Sequence, residues 1–240
     1  MKEEKKRIAS SDPIEIRVRV KDFRKVYPSI VGKPVVAVEQ TSFGLDYGEC
    51  FAMLGVNGSG KSTTFKCLTN ECAPTRGIMT INGMNCQTEF EKVRRQIGYC
   101  PQYDSIFEWM SVEEHFYFYA VMKGIPNHIR KPLIDSQIKD MSLTNHRYKA
   151  AGTLSGGNKR KLSVALATLG NPPIILLDEP SAGMDPEARR HMWKVVYRIS
   201  HRRKKSAVIL TTHTMDEAEA LSTKMGIMVQ GGVFKCMGSS

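Results

Sequence analysis

One eight-residue stretch narrows the possible folds of this chain more than any other: Gly55-Val-Asn57-Gly58-Ser59-Gly60-Lys61-Ser62. An apolar run, Cys50-Phe-Ala-Met-Leu54, leads into it and predicts a buried strand. Thr63-Thr-Phe-Lys-Cys-Leu-Thr69 follows, with the apolar spacing of a helix's first turns. Strand, glycine loop and helix in that order make a cradle for phosphate. Glycines let the backbone wrap closely, so successive N–H groups of the loop point at anionic oxygens. The helix start adds unpaired donors and partial positive charge. Lys61 can reach the β- and γ-phosphates of a nucleotide, and the Ser62 hydroxyl can join the coordination of Mg²⁺. The bland alternative is a glycine-rich turn with an incidental lysine. It leaves the full pattern and its flanking elements unexplained.

At 240 residues the chain suits one α/β domain with room for a subdomain. Apolar runs such as Ile174-Ile-Leu-Leu177 fall far short of the ~20 residues a membrane span needs. The opening Met1-Lys-Glu-Glu-Lys-Lys-Arg7 is charged and precedes no apolar stretch, unlike a secretory signal. The expectation is a soluble, cytosolic chain that serves a membrane only through a partner. Its six cysteines include no CxxC pair, which favours reduced thiols over a metal site or a disulfide framework. Net charge is +11, but the bases are spread over short clusters such as Asn158-Lys-Arg-Lys161 and Arg202-Arg-Lys-Lys205. None interleaves with aromatics as a base-stacking surface would, so no nucleic acid is expected and most of the charge reads as solvated. Attraction to anionic lipid headgroups would make the excess useful.

Residues 1–12 read as a polar, mobile tail. Alternation from Ile14 to Val20 predicts a half-buried strand, and a loop leads to a second strand at Val35-Val-Ala-Val38. Ile78-Met-Thr-Ile81 before Asn82-Gly83 predicts a strand and tight turn. Past Gln102 the pattern turns helical, at residues 111–123, 132–140 and 162–169, with an aromatic run Phe116-Tyr-Phe-Tyr119. Ile174-Ile-Leu-Leu177 predicts a buried parallel strand, residues 186–200 a helix, and Ala207-Val-Ile-Leu210 another strand. A hairpin turning at residues 230–232 closes the chain. The architecture expected is one α/β domain interrupted by a helical subdomain.

Asp178 ends the run Ile174-Ile-Leu-Leu177, where a carboxylate can hold Mg²⁺ directly or through water. Glu179 should point elsewhere, because side chains alternate along an extended segment, and is then free to polarise a water for attack on the γ-phosphate. Leu154-Ser155-Gly156-Gly157-Asn158 is a second glycine-rich motif opening a helix, with Ser155 an N-cap residue type. It reads either as a simple capped helix or as a second anion site. One nucleotide rarely needs two cradles from one chain, which hints at a dimer sharing its nucleotides.

Together these motifs resemble the nucleotide-binding domain of an ATP-binding cassette (ABC) transporter, over nearly all of residues 13–240. The resemblance implies an α/β P-loop NTPase core with a mixed sheet, about residues 13–101 and 164–240. It adds an inserted helical subdomain at about 102–163 and an antiparallel β edge. Residues 55–62 match the family's phosphate loop, Tyr99-Cys-Pro-Gln102 its glutamine loop, and Leu154-Ser-Gly-Gly157 its signature. Residues 174–178 match Walker B with Glu179 as catalytic base, Ser181-Ala-Gly-Met-Asp185 the D-loop, and Thr211-Thr-His213 the switch histidine. Tyr27 falls at the aromatic that stacks on adenine. The family pattern implies ATP and Mg²⁺ as cofactors, with Ser62, Gln102 and Asp178 toward the metal. It implies nucleotide contacts at Tyr27, Gly55, Asn57, Gly58, Ser59, Gly60, Lys61, Ser62, Thr63, Gln102, Ser155, Gly156, Gly157, Asp178 and Asp185, and Glu179 and His213 as the catalytic pair. It also implies partners: a second cassette clamping ATP head to tail, and transmembrane domains that hold the chain at the cytoplasmic face of a membrane. Lys25-Val-Tyr-Pro28, Ser155-Gly-Gly-Asn-Lys-Arg-Lys-Leu162 and Met215-Asp-Glu-Ala-Glu-Ala-Leu221 are most similar to the second cassette of subfamily A, the eukaryotic lipid exporters. Ser181 stands where that subfamily more often has Thr, and such domains usually continue past the position of Ser240, so the expectation is a domain excised from a much longer chain. Two competing functions remain: a soluble cassette ATPase acting on ribosomes or nucleic acid, and a regulatory cassette that binds ATP without hydrolysing it.

Overall fold

The computed structural model describes residues 4, 6–8, 16–29, 32–202, 206–230 and 232–239. Ile14 and Glu15, most of the basic run at 202–205 and Gly231 of the final turn lie outside them.

Two sheets face each other. The smaller is antiparallel and four-stranded, in the order β2-β1-β4-β5, from β1 (Val18–Tyr27), β2 (Val35–Leu45), β4 (Arg76–Ile81) and β5 (Met84–Asn85). Alternation along β1 buries Val18 and Val20, as the sequence pattern predicts, and a register shift after Val20, with Asp22 at φ +49°, buries Phe23 as well. The larger sheet is six-stranded, β10-β9-β3-β8-β7-β6, from β3 (Cys50–Gly55), β6 (Ile97–Cys100), β7 (Ile174–Asp178), β8 (Ala207–Thr212), β9 (Lys224–Val229) and β10 (Val233–Ser239). Its strands are parallel except β10, which returns antiparallel along β9. β7 and β8 are buried at every position, as continuous apolar runs covered on both faces must be.

Between the sheets lies one core, in which Phe43 stacks on Phe51 at 4.8 Å and Phe234 meets both edge-on. Helix α1 (Lys61–Leu68) sinks Phe65 and Leu68 into it, and a short α2 (Phe90–Val93) adds Val93. A second core covers the sheet's other face. It joins Ile175, Leu177, Val208 and Leu210 to α5 (Gly156–Thr168), α6 (Pro186–Tyr197) and α7 (Met215–Leu221). That core runs on without a break into α3 (Val112–Met122) and α4 (Asn127–Asp140) through Phe116, Ile134 and Ile138. Helix α3 starts where Ser111 and Glu114 exchange side-chain and backbone hydrogen bonds, a capping box.

Several boundaries differ from the sequence reading. Helix α4 begins at Asn127, so Pro132 sits within it and does not start it. Helix α5 runs from Gly156 through the expected domain boundary at 163/164. The polar-tail reading of residues 1–12 fails at Ile8, which is 1% exposed, while Arg7 donates to the Gly44 carbonyl at 2.8 Å. Glu4 adds to that tie by accepting from the Gly44 N–H at 3.2 Å. No helix among the described residues is long and apolar enough to cross a membrane.

Candidate functional site

Strand order gathers the site. β3, β8, β7 and β6 are successive neighbours, and ligands of parallel α/β sheets bind beyond the carboxyl ends of the strands. There the loop 55–60 follows β3, His213 follows β8, Asp178 ends β7 with Glu179 next, and Gln102 lies just past β6. Residues far apart in sequence thus meet at one edge.

The loop after β3 is wedged into place. Gly60 caps α1 with φ +100°, and a Cβ there would lie 2.5 Å from the Ala37 carbonyl oxygen. A Cβ on Gly55 would strike the Met228 carbonyl on β9. Only glycine permits both approaches. No side chain caps the start of α1 and its first turn holds no acid, so its N–H groups stay available to an anion. Lys61 is 5% exposed, and its ammonium donates to the carbonyls of Gly55 at 2.6 Å and Val56 at 3.0 Å. Burial pushes its pKa down, while Glu179 and Asp178 pull it up, which ties the two ends of the site electrostatically. Asn57 and Gly58 are exposed and Ser59 is buried. Tyr27, at the end of β1, has its hydroxyl 3.7 Å from Cys72 Sγ. Burial is the main cause of its raised pKa, opposed by a hydrogen bond to Thr63 beside the phosphate loop. Lys25 Nζ lies 4.9 Å from the Tyr27 ring centroid.

Asp178 and Glu179 are both buried. Asp178 Oδ1 accepts from the Thr211 hydroxyl at 2.5 Å. Glu179 departs from the expected extended geometry: its φ is +51°, so a left-handed residue, and not strand alternation, turns its side chain away from Asp178. Its N–H donates to Thr211 Oγ1 at 3.0 Å, and its Oε2 lies 3.5 Å from His213 Nδ1. The His213 side chain is 55% exposed, and Gln102 is exposed as well.

The second motif is separate. Ser155 caps α5, accepting from the Asn158 N–H at 3.4 Å, and Cβ atoms on Gly156 and Gly157 would meet nothing within 4 Å. Among the described residues no hydrogen bond or ion pair joins residues 155–157 to the phosphate loop. Asp185 accepts from the N–H groups of Glu187 and Ala188, capping α6, and those bonds hold its carboxyl below the usual range. Sequence reading missed Thr211 as the clamp between Asp178 and Glu179. It also placed Arg160 in a solvated basic cluster, whereas Arg160 is 3% exposed. Nothing in a run of four polar residues tells which one turns inward.

A nucleoside triphosphate fits this arrangement. The uncapped start of α1 and the Lys61 ammonium suit its phosphates. The Ser62 hydroxyl and the Asp178 carboxylate are hard oxygen donors of the kind Mg²⁺ accepts beside phosphate oxygens. No group of three or more His, Cys, Asp or Glu gathers as a metal cage among the described residues, and Mg²⁺ held largely by substrate needs none.

Comparison with known proteins agrees. The sequence profile described as "ABC transporter" matches residues 38–182. The human retinal-specific phospholipid-transporting ATPase ABCA4 is 45% identical over 237 residues, 99% of this chain and 10% of that protein. The human phospholipid-transporting ATPase ABCA3 is 43% identical over 240 residues, again 99% of this chain and 14% of the relative. The chain thus spans about a tenth of the length of these relatives. Among solved structures, an ATP-binding subunit of an ABC transporter superposes with TM-score 0.81 at 28% identity, covering 92% of this chain and 89% of the other. The dimeric cassette MJ0796, in a post-hydrolysis state bound to ADP and Pi, shares the fold with TM-score 0.83 at 20% identity, over 92% and 98% of the two chains. This chain belongs to the ABC transporter family.

Proposed function

We propose that this cassette hydrolyses ATP to drive phospholipid export by a larger membrane protein of which it is one part. The observation that carries the reading is the meeting of Lys61, Asp178, Glu179, His213 and Gln102 at one sheet edge, with Glu179 Oε2 3.5 Å from His213 Nδ1. Phosphates lie on the loop 55–60 and the N–H groups of Lys61, Ser62 and Thr63, with the Lys61 ammonium turning from its loop carbonyls to the β- and γ-oxygens. Adenine stacks on Tyr27, which contributes about 1–3 kcal/mol by analogy with other base–aromatic stacks. Ser62, Gln102 and Asp178 would hold Mg²⁺, which would supply positive charge to offset that of the phosphates. Glu179 takes the proton of the attacking water, and His213 orients that water and the γ-phosphate.

A second cassette completes the site. Ser155, Gly156 and Gly157 open α5 toward the triphosphate held by a partner cassette, with Asp185 near the same interface, so that two nucleotides are clamped head to tail. The relatives named as phospholipid-transporting ATPases support the choice of cargo, and the likeness of motifs supports a position as the second cassette of its parent. The parent's transmembrane domains dock on the helical subdomain near Gln102, where Tyr103 and Trp109 stand exposed, and hold the cassette at the cytoplasmic face. The net charge of +11 favours anionic headgroups nearby.

Glu179→Gln tests the chemistry. It should leave ATP affinity within about twofold while lowering turnover by about 10²–10⁴, the worth of a positioned base. Lys61→Ala should instead weaken ATP binding itself, by about 10–100-fold for lost charge-assisted bonds. Equal turnover in the wild type and the Gln variant would remove Glu179 from this role.

A further inference from the structure

Arg160 sits on α5, the helix that Ser155 opens, and its guanidinium is spent entirely on backbone and one carboxylate. Nη1 donates to the carbonyls of Pro101 at 2.6 Å and Gln102 at 3.3 Å, and to Asp104 Oδ1 at 3.1 Å. Nη2 donates to the carbonyl of Asp178 and to that of Glu179 at 3.1 Å, and Nε to that of Pro180 at 3.4 Å. One rigid plane therefore binds three segments at once: the loop of Gln102, the strand end of Asp178 and Glu179, and the helix of Ser155. Burying a guanidinium is costly, and a side chain kept only to fill this space would be apolar. Lysine could not replace it, because a single ammonium lacks the planar fork.

The fork also acts on a strained residue. Glu179 has φ +51°, which a residue with a Cβ holds only when its surroundings fix it. Thr211 fixes its N–H, by Oγ1 at 3.0 Å and the carbonyl at 3.2 Å, and its own carbonyl accepts from Arg160 and from the Ala182 N–H, each at 3.1 Å. Without the fork the carbonyl keeps only the local Ala182 bond, which ties it to nothing across the site, and the peptide can shift and carry the carboxylate off its aim.

We propose that Arg160 is a positioning residue for ATP hydrolysis: it holds the Glu179 backbone in its left-handed conformation and registers it to the Gln102 loop and the signature helix. This rests on Glu179 serving as base, as read above. Arg160 touches neither nucleotide nor water in this role, and its effect passes through Glu179.

The test is a double-mutant cycle in the full chain between Arg160→Lys and Glu179→Gln, read by single-turnover hydrolysis and by ATP affinity. Arg160→Lys should lower kcat about 10–100-fold, the effect expected when a reacting group is misplaced by about 1 Å. KM and ATP affinity should stay within about twofold, because the phosphate loop does not depend on the fork. In the Glu179→Gln background the same change should cost nothing further, since the group it aims is already gone. Losses that multiply in the double variant, or a kcat loss matched by an equal loss of ATP affinity, would mean a general structural role and overturn the proposal. So would wild-type turnover in Arg160→Lys. Should Arg160→Lys fail to fold by circular dichroism, Asp104→Asn, which strips only the fork's part-exposed carboxylate partner, must show the same pattern at about two- to fivefold in kcat. No change in kcat there would reject the proposal. The two readings fail differently: wild-type turnover in Glu179→Gln sinks the base assignment, while a slow Glu179→Gln beside a fast Arg160→Lys sinks only the positioning role.

Discussion

The two glycine-rich motifs of this chain look alike in sequence and differ sharply in structure. The loop 55–60 is locked: Gly60 is left-handed and pressed against β2, Gly55 is pressed against β9, and Lys61 is buried across the loop's carbonyls. The motif at 154–157 is open: its glycines have ordinary φ, a Cβ on either would meet nothing, and Ser155 is exposed. A locked cradle is organised before its ligand arrives and can bind alone. An open one offers donors without walls, and needs an opposing surface to exclude water and make those donors count. In the function proposed above, the first binds nucleotide by itself and the second needs a partner to complete it.

The largest contrast should come from Gly60→Ala. Left-handed strain alone costs about 1–3 kcal/mol of stability, and the clash with Ala37 adds to it. Thermal unfolding should show that loss, and calorimetric titration should show ATP affinity falling at least about tenfold as loop N–H groups move off target. A variant that binds ATP normally would mean the loop is not locked. Tyr27 should matter less. Tyr27→Ala should weaken ATP binding by about 1–3 kcal/mol, while Tyr27→Phe is nearly silent in a fluorescence titration. Equal damage from both would shift the role from the ring to the hydroxyl and its Cys72 and Thr63 neighbours. Gly157→Ala should be smallest. With open space and ordinary φ, stability should hold or rise by up to about 1 kcal/mol, and ATP affinity of the single chain should not change. Weakening comparable to Gly60→Ala would erase the distinction between the cradles.

Much of this was legible beforehand because it is written in local signals. Apolar runs marked β3, β7 and β8, alternation marked β1, and the glycine loop between β3 and α1 announced a phosphate cradle. What stayed hidden is set by tertiary packing. β6 is only four residues long and carries Gly98, too short and too weak a pattern to read as a strand, yet it delivers Gln102 to the site. Ile8 lies alone in a charged segment. Arg160 sits between two lysines, and only the packing of α5 against β6 and β7 decides that it is the one turned inward. The direction of the Glu179 side chain was read from strand alternation, whereas its left-handed φ sets it, and backbone φ at a strand end is fixed by partners such as Thr211 that no local rule identifies.

The central claim is that the open motif is completed by a second cassette across bound ATP. Light scattering of Glu179→Gln, in which hydrolysis cannot dissolve the pair, tests it most directly. With Mg-ATP the mass should double, should return to that of the monomer without nucleotide, and should stay monomeric with ATP once Ser155→Arg is added. A dimer that forms without nucleotide and survives Ser155→Arg would contradict the claim.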